Sequence, residues 1–502
     1  VFNIVAIKSQ EDDSMGRIEM APYVPYDQGP AHLHIPTVYG ASPNKPMLWA
    51  IPATGVRPLR YAVDPLPAGL MLDPAQGFIT GVPQAGEYNL KITVTNDLGT
   101  DEKPLRLIVK PDGAGVTPMM GWCSWNAYGK TVSQDKIERT ADLLLSSGLS
   151  SYGYQFVNTD SAWQGEYGGP HDAITSNEKF PDMKAMTDHI HSLGLKAGIY
   201  STPMQKAWGG GELAGCTRGR MDNRWPNVYY GIGEDHREQA CVDQWTEWGF
   251  DYLKYDWSPC DPHNAELMKD CLRRSNRDFQ FCVTVRAGIE HADYWKKNCS
   301  HWRDNIDSSD TWDNVLDSKF KSDFWAEHIS PGHFFDMDMM ENGWICNHMT
   351  GEQRACRLTE NEQIVAYTMR AIFPSPIQIS CDLEKLSDFD KALLCNEEVI
   401  SVNQDAWAIG AVCVYEEHQR NVDRMETVHK RIYARLLEDG SVAVAMFNLS
   451  SQEETLSLPL DSTQVVRDLW AKRDLGEFSG AISLNVPPHA VRFLKLRQTP
   501  QP

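Results

Sequence analysis

The stretch DYLKYDW at Asp251–Trp257 carries the pattern that decides the fold. Apolar and aromatic residues dominate it, with charged residues at short intervals, which is typical of a buried strand that ends at a polar site. Side chains two positions apart on a strand share a face, so Lys254 and Asp256 are predicted to point to the same side. A carboxylate beside an ammonium group stays ionised and is a usable nucleophile, which makes Asp256 a candidate catalytic residue.

Seven further strand-like runs alternate with helix-like segments in the middle of the chain. The runs are MMGWCSW (119–125), YQFVNTD (154–160), LKAGIYST (195–202), FQFCVTV (279–285), HWRDNID (301–307), HFFDMD (333–338) and PIQIS (376–380). Eight strands alternating with helices predict an α/β fold, a (β/α)8 or TIM barrel over residues 113–406. In that fold the active site lies at the C-terminal strand ends. The candidate side chains at five such ends are Trp125, Asp160, Asp256, Asp307 and Asp338.

The run HWRDNID provides a second carboxylate at a strand end. It places Arg303, Asn305 and Asp307 in the same alternation, about fifty residues after Asp256. Two carboxylates on separate strand ends are the groups that cleavage of a glycosidic bond requires. The barrel therefore favours a glycoside hydrolase.

Short alternating runs before and after the barrel predict two flanking β-sandwiches. Within residues 1–112 the runs PLRYAV, GLMLD, GFITG and YNLKITVTN follow a polar lead-in and are separated by Gly and Pro. Within residues 407–502 the runs KRIYARLLEDG, SVAVAMFNLS and ETLSLPL predict an antiparallel sandwich packed on the barrel. The N-terminal unit is interpreted as a structural spacer, because its sequence shows no exposed aromatic platform.

Composition narrows the class of protein. A chain of 502 residues with 42% hydrophobic residues is a folded globular protein of about three domains. The net charge of −21 argues against nucleic acid as a partner. No apolar run approaches the roughly 20 residues of a membrane span. Because the chain begins at Val1, we expect a mature protein whose signal peptide is gone and whose location is secreted or periplasmic.

Cysteine and histidine spacings give no metal or cofactor site. None of the 12 cysteines forms a CxxC pair, so most are expected to be free in the core. Cys346 and Cys356 flank a loop-like segment and are the preferred disulfide pair. The barrel histidines show no HExxH spacing, and His189 and His191 point to different faces of a helix-like segment. We therefore expect no metal and no cofactor.

The barrel blocks resemble glycoside hydrolase family 27, the α-galactosidase and α-N-acetylgalactosaminidase family. The blocks MGWCSWNAYG, YQFVNTDSAWQG, GLKAGIY, DYLKYDW, WRDNIDSSDTW and VISVNQD occur in the family's order within residues 118–498. Residues 30–110 similarly resemble bacterial immunoglobulin-like modules. The resemblance implies a retaining mechanism on an oligosaccharide or polysaccharide, with Asp256 as nucleophile and Asp307 as acid/base.

The resemblance also implies which side chains bind the terminal sugar. They are Trp125, Asp160, Tyr200, Lys254, Arg303 and Asp338. Counting from the Trp302–Arg303 pair places the family's acid at Asp307 rather than at its neighbours Asp304 and Asp310. Asp310 is expected to cap the following helix.

Several positions depart from the family pattern and leave the identity of the sugar open. Ser161 replaces the second of two adjacent aspartates, and Arg286 stands near the family's specificity position on the fifth strand. Ala162 and Trp208 replace a bridged pair of cysteines. Trp208 also begins an enlarged loop, WGGGELAGCTRGRMDNRWPNVYYG (208–231), which could rebuild the wall of the sugar site.

Exo-acting removal of terminal α-D-galactose-like residues is the leading hypothesis. β-L-arabinopyranosidase activity is the nearest alternative, because L-arabinopyranose has the galacto arrangement of ring hydroxyls without the exocyclic CH2OH group. Another α-glycosidase activity of the same family is a further alternative. A different class is an inactive carbohydrate-binding protein on a hydrolase fold, because fold alone does not establish activity. Turnover of aryl glycosides by the wild type and by an Asp256 variant would separate the two classes.

Overall fold

A barrel of eight parallel strands forms the centre of the computed structural model, which describes residues 16–208, 214–420 and 426–498. The strands are Met120–Cys123, Phe156–Thr159, Lys196–Ser201, Tyr252–Asp256, Gln280–Thr284, His301–Trp302, Phe334–Phe335 and Ile377–Ile379. They neighbour one another in chain order, and the eighth pairs with the first. Between the seventh and eighth strands, the Met340 amide donates to the Gln378 carbonyl at 2.8 Å. The predicted (β/α)8 barrel is therefore confirmed.

Helices cover the outside of the barrel. They are Ser124–Tyr128, Gln134–Ser146, Met183–Ser192, Glu238–Trp248, Pro262–Arg274, Ala292–Asn298, Trp312–Val315, Glu360–Ile372, Asp388–Leu394 and Glu397–Asn403. Helix Gln134–Ser146 is typical: the Ser133 side chain caps it, and its buried residues Ile137, Ala141 and Leu144 form one apolar stripe. Helix Glu360–Ile372 is buried almost throughout and begins with a capping box of Thr359 and Glu362.

Three antiparallel hairpins extend the loops that follow the second, third and seventh barrel strands. They pair Gln164–Gly168 with Ala173–Ser176, Thr217–Met221 with Gly233–His236, and Trp344–Cys346 with Gln353–Ala355. Each follows the C-terminal end of a barrel strand, which is the face where such barrels hold their active sites. The second hairpin lies in the enlarged loop seen in the sequence, of which residues 209–213 are outside the described part.

The N-terminal unit is a sandwich with its own core, as the short alternating runs predict. Its strands are His32–Leu33, Val38–Ala41, Met47–Ala50, Ala53–Thr54, Arg60–Asp64, Leu70–Asp73, Phe78–Gly81, Gly86–Asn96 and Gly99–Val109. A four-stranded sheet faces a three-stranded one. Between them the buried side chains of Leu33, Trp49, Ile92 and Leu107 form a cluster separate from that of the barrel.

The C-terminal sandwich shares its apolar core with the barrel. Its strands are Val412–Arg420, Glu426–Leu436, Val442–Asn448, Glu454–Pro459, Gln464–Asp468, Arg473–Phe478, Ala481–Val486 and Ala490–Gln498. Trp470 is fully buried, and its Nε1 donates to Thr368 Oγ1 of a barrel helix at 3.0 Å. Buried Arg435 donates to the carbonyls of Ala371 and Val402 at 3.1 and 3.0 Å. The C-terminal sandwich thus covers part of the barrel and satisfies buried polar groups of its helices.

The preferred disulfide is wrong. All 12 cysteines are free. In the hairpin that carries it, Cys346 pairs with Gln353, so its side chain does not meet Cys356. The two thiols point instead to the carbonyls of Trp125 and Glu341.

Within the described ranges, none of the helices combines the length and the apolar character needed to cross a membrane.

Candidate active site

Asp256 is the last residue of the fourth barrel strand and lies at the bottom of the candidate site. Its side chain is buried, and Oδ1 has no hydrogen-bond partner among the described residues. Burial raises the pKa of the Asp256 carboxyl to about 7, although the charges of Lys254 and Arg303 oppose that shift. A buried carboxylate oxygen without a partner is free to meet a ligand, as a nucleophile must be.

Lys254 pairs with Asp160 of the second strand. Its Nζ lies 2.8 Å from Asp160 Oδ2 and makes no hydrogen bond to Asp256. Burial lowers the pKa of Lys254, but the surrounding negative charges, led by Asp160, hold it well above its ordinary value. The charge of Lys254 thus favours the ionised form of Asp256, as predicted, but its hydrogen bond goes to Asp160, and burial has the larger effect on the pKa of Asp256.

Arg303 holds two carboxylates from neighbouring loops. It donates to Asp307 Oδ1 at 2.8 Å and, through its other terminal nitrogen, to Asp338 in a short contact. Burial raises the pKa of Asp338, but Arg303 and Lys254 outweigh it and bring the pKa to about 2. Asp338 is therefore a fixed anion, and Arg303 joins it to the predicted acid.

Asp307 lies at the entrance of the candidate site. The chain that leads to it is not the strand that the sequence predicts. The sixth strand ends at Trp302, so the expected alternation of Arg303, Asn305 and Asp307 is wrong. Arg303 and Asn305 are both buried, and the Asn305 amide donates to the Ser318 carbonyl at 2.8 Å. The Asp307 side chain is 85% exposed. The Asp307 carboxyl is therefore accessible from solvent and is oriented by Arg303.

Asp310, an alternative candidate for the acid near Asp307, has a different environment. Asp310 does not cap the following helix, because Thr311 holds that position and accepts from the Asn314 amide. Asp310 is buried and accepts from Arg354 and Arg357 at 2.9 and 2.8 Å, which brings its pKa to about 2 despite burial. A carboxylate clamped by two arginines cannot serve as an acid.

Two of the predicted sugar-binding residues have buried hydroxyls that lack partners among the described residues. They are Ser161 Oγ, where the family has a carboxylate, and the Tyr200 hydroxyl. Burial raises the pKa of Tyr200 far above its ordinary value, and the charges of Asp256 and Asp160 add to this, so the hydroxyl stays a neutral donor. With Asp256 Oδ1 these atoms offer hydrogen bonds to a polyhydroxylated ligand.

Trp125 and His348 together form one wall of the candidate site. The sequence indicated Trp125 but not His348. Their rings are 4.9 Å apart at an interplanar angle of 39°. His348 lies on the hairpin loop between Trp344–Cys346 and Gln353–Ala355, and its Nε2 is 2.9 Å from Asn126 Oδ1. Burial lowers the pKa of His348, so the ring is neutral at pH 7. No motif in the sequence connects a histidine so distant along the chain to Trp125.

The remaining side chains named from the sequence lie at the edge of the candidate site. Arg286 is exposed, with a left-handed φ of 62°. Burial raises the pKa of nearby Asp304, and the charge of Arg286 opposes this shift only in part. Ala162 also has a positive φ, of 81°. Trp208, in place of the family cysteine, packs against the cluster that contains Tyr200. Asp336 is buried and accepts from the Asp338 amide at 2.8 Å, so it positions Asp338.

One group of potential metal ligands lies at the opposite face of the barrel. Ligand atoms from His32, His34 and Glu397 are all within 4.8 Å of one another. They border a cavity of about 360 Å³ that also includes Phe156 and Gln280 from the N-terminal halves of barrel strands. The expectation that the protein binds no metal stays a prediction.

Comparison with known proteins places this site in a family. A profile described as "Alpha galactosidase A" matches residues 117–405, and "Alpha galactosidase C-terminal beta sandwich domain" matches 429–496. The description "Putative Ig domain" matches residues 30–110. The α-galactosidase of Oryza sativa subsp. japonica is 30% identical over 77% of this chain and 86% of its own length. Alpha-galactosidase 2 of Arabidopsis thaliana is 30% identical over 82% and 96%.

Solved structures agree with the sequence relatives. A "putative alpha-galactosidase" of Bacteroides fragilis NCTC 9343 superposes with a TM-score of 0.81 at 25% identity, covering 95% of this chain and 99% of its own. A GH27 β-L-arabinopyranosidase from Geobacillus stearothermophilus, in complex with arabinose, gives a TM-score of 0.65 at 26% identity, covering 76% and 97%. The chain is a glycoside hydrolase of family 27, the α-galactosidase family.

Proposed function

We propose that the protein is a retaining exo-glycosidase that removes terminal α-D-galactose-like residues. Asp256 attacks the anomeric carbon and forms a glycosyl-enzyme ester, while Asp307 protonates the leaving oxygen and later activates water. The observation that carries this proposal is the buried, unpartnered Asp256 oxygen below the exposed Asp307 carboxyl that Arg303 holds. The other buried hydroxyls and carboxylates then bind the sugar.

The two carboxylates differ in a way that bears on their roles. A raised pKa suits an acid as well as it suits a buried nucleophile, so the pKa of Asp256 alone does not assign it. Position supports the proposed assignment, because Asp256 is buried next to the proposed sugar-binding groups, whereas the Asp307 side chain is exposed. The family resemblance gives the same assignment.

Leaving-group dependence tests the roles. For Asp307→Ala we expect a large loss of kcat/KM on natural galactosides and a small one on aryl galactosides whose leaving groups depart without protonation. Azide should then yield the α-galactosyl azide, since it attacks the same ester as water. Asp256→Ala should lose activity on every substrate. Equal losses on both substrate types for Asp307→Ala would remove Asp307 from the acid role.

The product anomer tests the retaining mechanism. Proton NMR of the first sugar released from an α-galactoside should show the α-anomer. The β-anomer would mean inversion. Failure of the wild type to turn over any glycoside, with sugar binding intact, would favour an inactive carbohydrate-binding protein.

A β-L-arabinopyranosidase is the second candidate, and Ser161 is the observation that favours it. The family carboxylate at this position would accept hydroxyls of a galactose, and here a buried hydroxyl replaces it. A parallel assay of p-nitrophenyl α-D-galactoside and β-L-arabinopyranoside decides between the two. A kcat/KM that is higher for the arabinoside would make it the preferred substrate.

A further inference from the structure

An exposed group of aromatic rings stands on the enlarged loop after the third barrel strand. Trp208 and Tyr229 are stacked, with ring centroids 4.8 Å apart and an interplanar angle of 20°. Tyr230 packs against both, at 4.9 Å from Trp208 and 4.6 Å from Tyr229. We call these three residues the aromatic stack. Tyr229 is 67% exposed, which is unusual for a ring already held on one face.

The aromatic stack adjoins the reaction centre. Trp208 packs against the buried cluster of Tyr200, Ala207 and Ala214. Tyr200 is the tyrosine whose unpartnered hydroxyl lies near Asp256. On the other side, the Tyr229 amide donates to the carbonyl of Ser258, two residues beyond Asp256, at 3.4 Å. Two independent contacts therefore hold the stack at the rim of the fourth strand end.

The loop contacts make the stack a fixed surface. The hairpin Thr217–Met221 with Gly233–His236 braces the segment that carries Tyr229. Within that segment Val228 is buried, and the Gly231 amide donates to its carbonyl at 3.0 Å. An exposed ring on a braced segment loses little conformational entropy when a ligand covers it.

We propose that the aromatic stack is an aglycone subsite in which the free face of Tyr229 binds the pyranose ring that carries the terminal sugar. The apolar C–H face of a pyranose complements a flat aromatic ring, and aromatic side chains line most sites for neutral ligands. The inference rests on the proposed exo-glycosidase activity and assigns that activity to substrates whose leaving group is itself a sugar. Residues 209–213 take no part in the argument.

The test compares leaving groups that do and do not reach the stack. For Tyr229→Ala we expect the ratio of kcat/KM on a galactosyl-α-1,6-glucose disaccharide to kcat/KM on α-galactosyl fluoride to fall about tenfold. Tyr229→Phe keeps the ring and should restore the ratio, which separates stacking from hydrogen bonding. Asn223→Ala, at an exposed position of the same loop, should leave the ratio unchanged.

Every outcome decides the proposal. An unchanged ratio in Tyr229→Ala overturns the subsite and leaves the proposed function standing. Equal losses on both substrates make Tyr229 a structural residue of the loop and also overturn the subsite, and a thermal melt would show the accompanying loss of stability. Absence of wild-type turnover on galactosides and arabinosides alike overturns the proposed function and the subsite with it.

Discussion

At the scale of single residues, the buried carboxylate of Asp256 lowers the free energy of unfolding. Its pKa rises from 3.8 to about 7 in the folded protein. Between those values the folded state holds a proton that the unfolded state has released, so the free energy of unfolding falls as pH rises through this window and stays lowered above it. The Asp256 carboxylate, the proposed nucleophile, thus lowers stability at neutral pH, as functional groups often do.

Asp256→Asn should therefore stabilise the protein at neutral and alkaline pH. The amide has the shape of the protonated acid but cannot ionise, so we expect a gain of about 1–3 kcal/mol at pH 8 that shrinks towards zero near pH 4. Denaturant unfolding at both pH values measures it. A gain for Asp256→Asn that is the same at pH 4 and pH 8 would contradict the argument.

Ser161→Asp tests the residue at which the sugar site departs from its family. A restored carboxylate would accept charge-assisted hydrogen bonds worth roughly 1.5–3 kcal/mol, so kcat/KM on an aryl α-galactoside should rise about tenfold or more. Ser161→Asn adds the same bulk without the charge and should not give this gain. If the wild type is already efficient and Ser161→Asp is worse, then Ser161 is not the specificity change.

Residue patterns in the sequence located the site but not its pairings. Trp125, Asp160, Tyr200, Lys254 and Asp256 all lie in or next to the C-terminal ends of barrel strands, as the local apolar pattern predicted. The pairing of Lys254 with Asp160, 94 residues apart, depends on which strands neighbour across the barrel. Local alternation contains no such information, so the sequence could not indicate the ion pair of Lys254 with Asp160.

At the scale of elements, the long apolar strands were predictable and the short ones were not. The run HWRDNID reads as a seven-residue strand, yet only His301–Trp302 is paired. Beyond Trp302 the side chains bind groups outside the sheet: Arg303 donates to carboxylates of two loops, and Asn305 donates to the distant Ser318 carbonyl. Tertiary hydrogen bonds therefore overrode the local pattern.

Asp310 connects the loop of Asp307 to the hairpin that carries His348. Asp310→Asn should weaken its contacts with Arg354 and Arg357, destabilise the protein by about 1–3 kcal/mol and raise KM more than it lowers kcat. The reason is that the hairpin positions the wall of the sugar site without touching the reacting atoms. Unfolding and steady-state kinetics measure the two effects.

Asp313→Asn, an exposed aspartate on the short helix after Asp310, is the control and should change neither quantity. Complete loss of kcat in Asp310→Asn with unchanged stability would instead point to Asp310 as a participant in the chemistry.

At the scale of the whole molecule, the two sandwiches differ in how they depend on the barrel. The N-terminal sandwich has a separate apolar core. It meets the rest of the chain through polar contacts, such as the Ser42 amide to Asp278 at 2.7 Å and Lys196 to the Tyr39 hydroxyl at 2.9 Å, and through a small apolar cluster that contains Val38. The C-terminal sandwich belongs to the same buried cluster as the barrel. Buried apolar area dominates folding free energy, so the two should not be equally dispensable.

Truncations test this difference. A chain lacking residues 1–112 should fold, keep kcat/KM on an aryl glycoside and melt about 2–6 °C lower, because it loses polar contacts and a few apolar ones, such as that of Ile18, all remote from Asp256. A chain lacking residues 407–502 should fail to give soluble protein, because it exposes the helix face beneath Trp470 and leaves barrel carbonyls such as Ala371 and Val402 without Arg435. Expression, calorimetry and assay measure both chains. A soluble, active chain without the C-terminal sandwich would show that the shared core is not required, and the barrel would then have to be regarded as an independent folding unit.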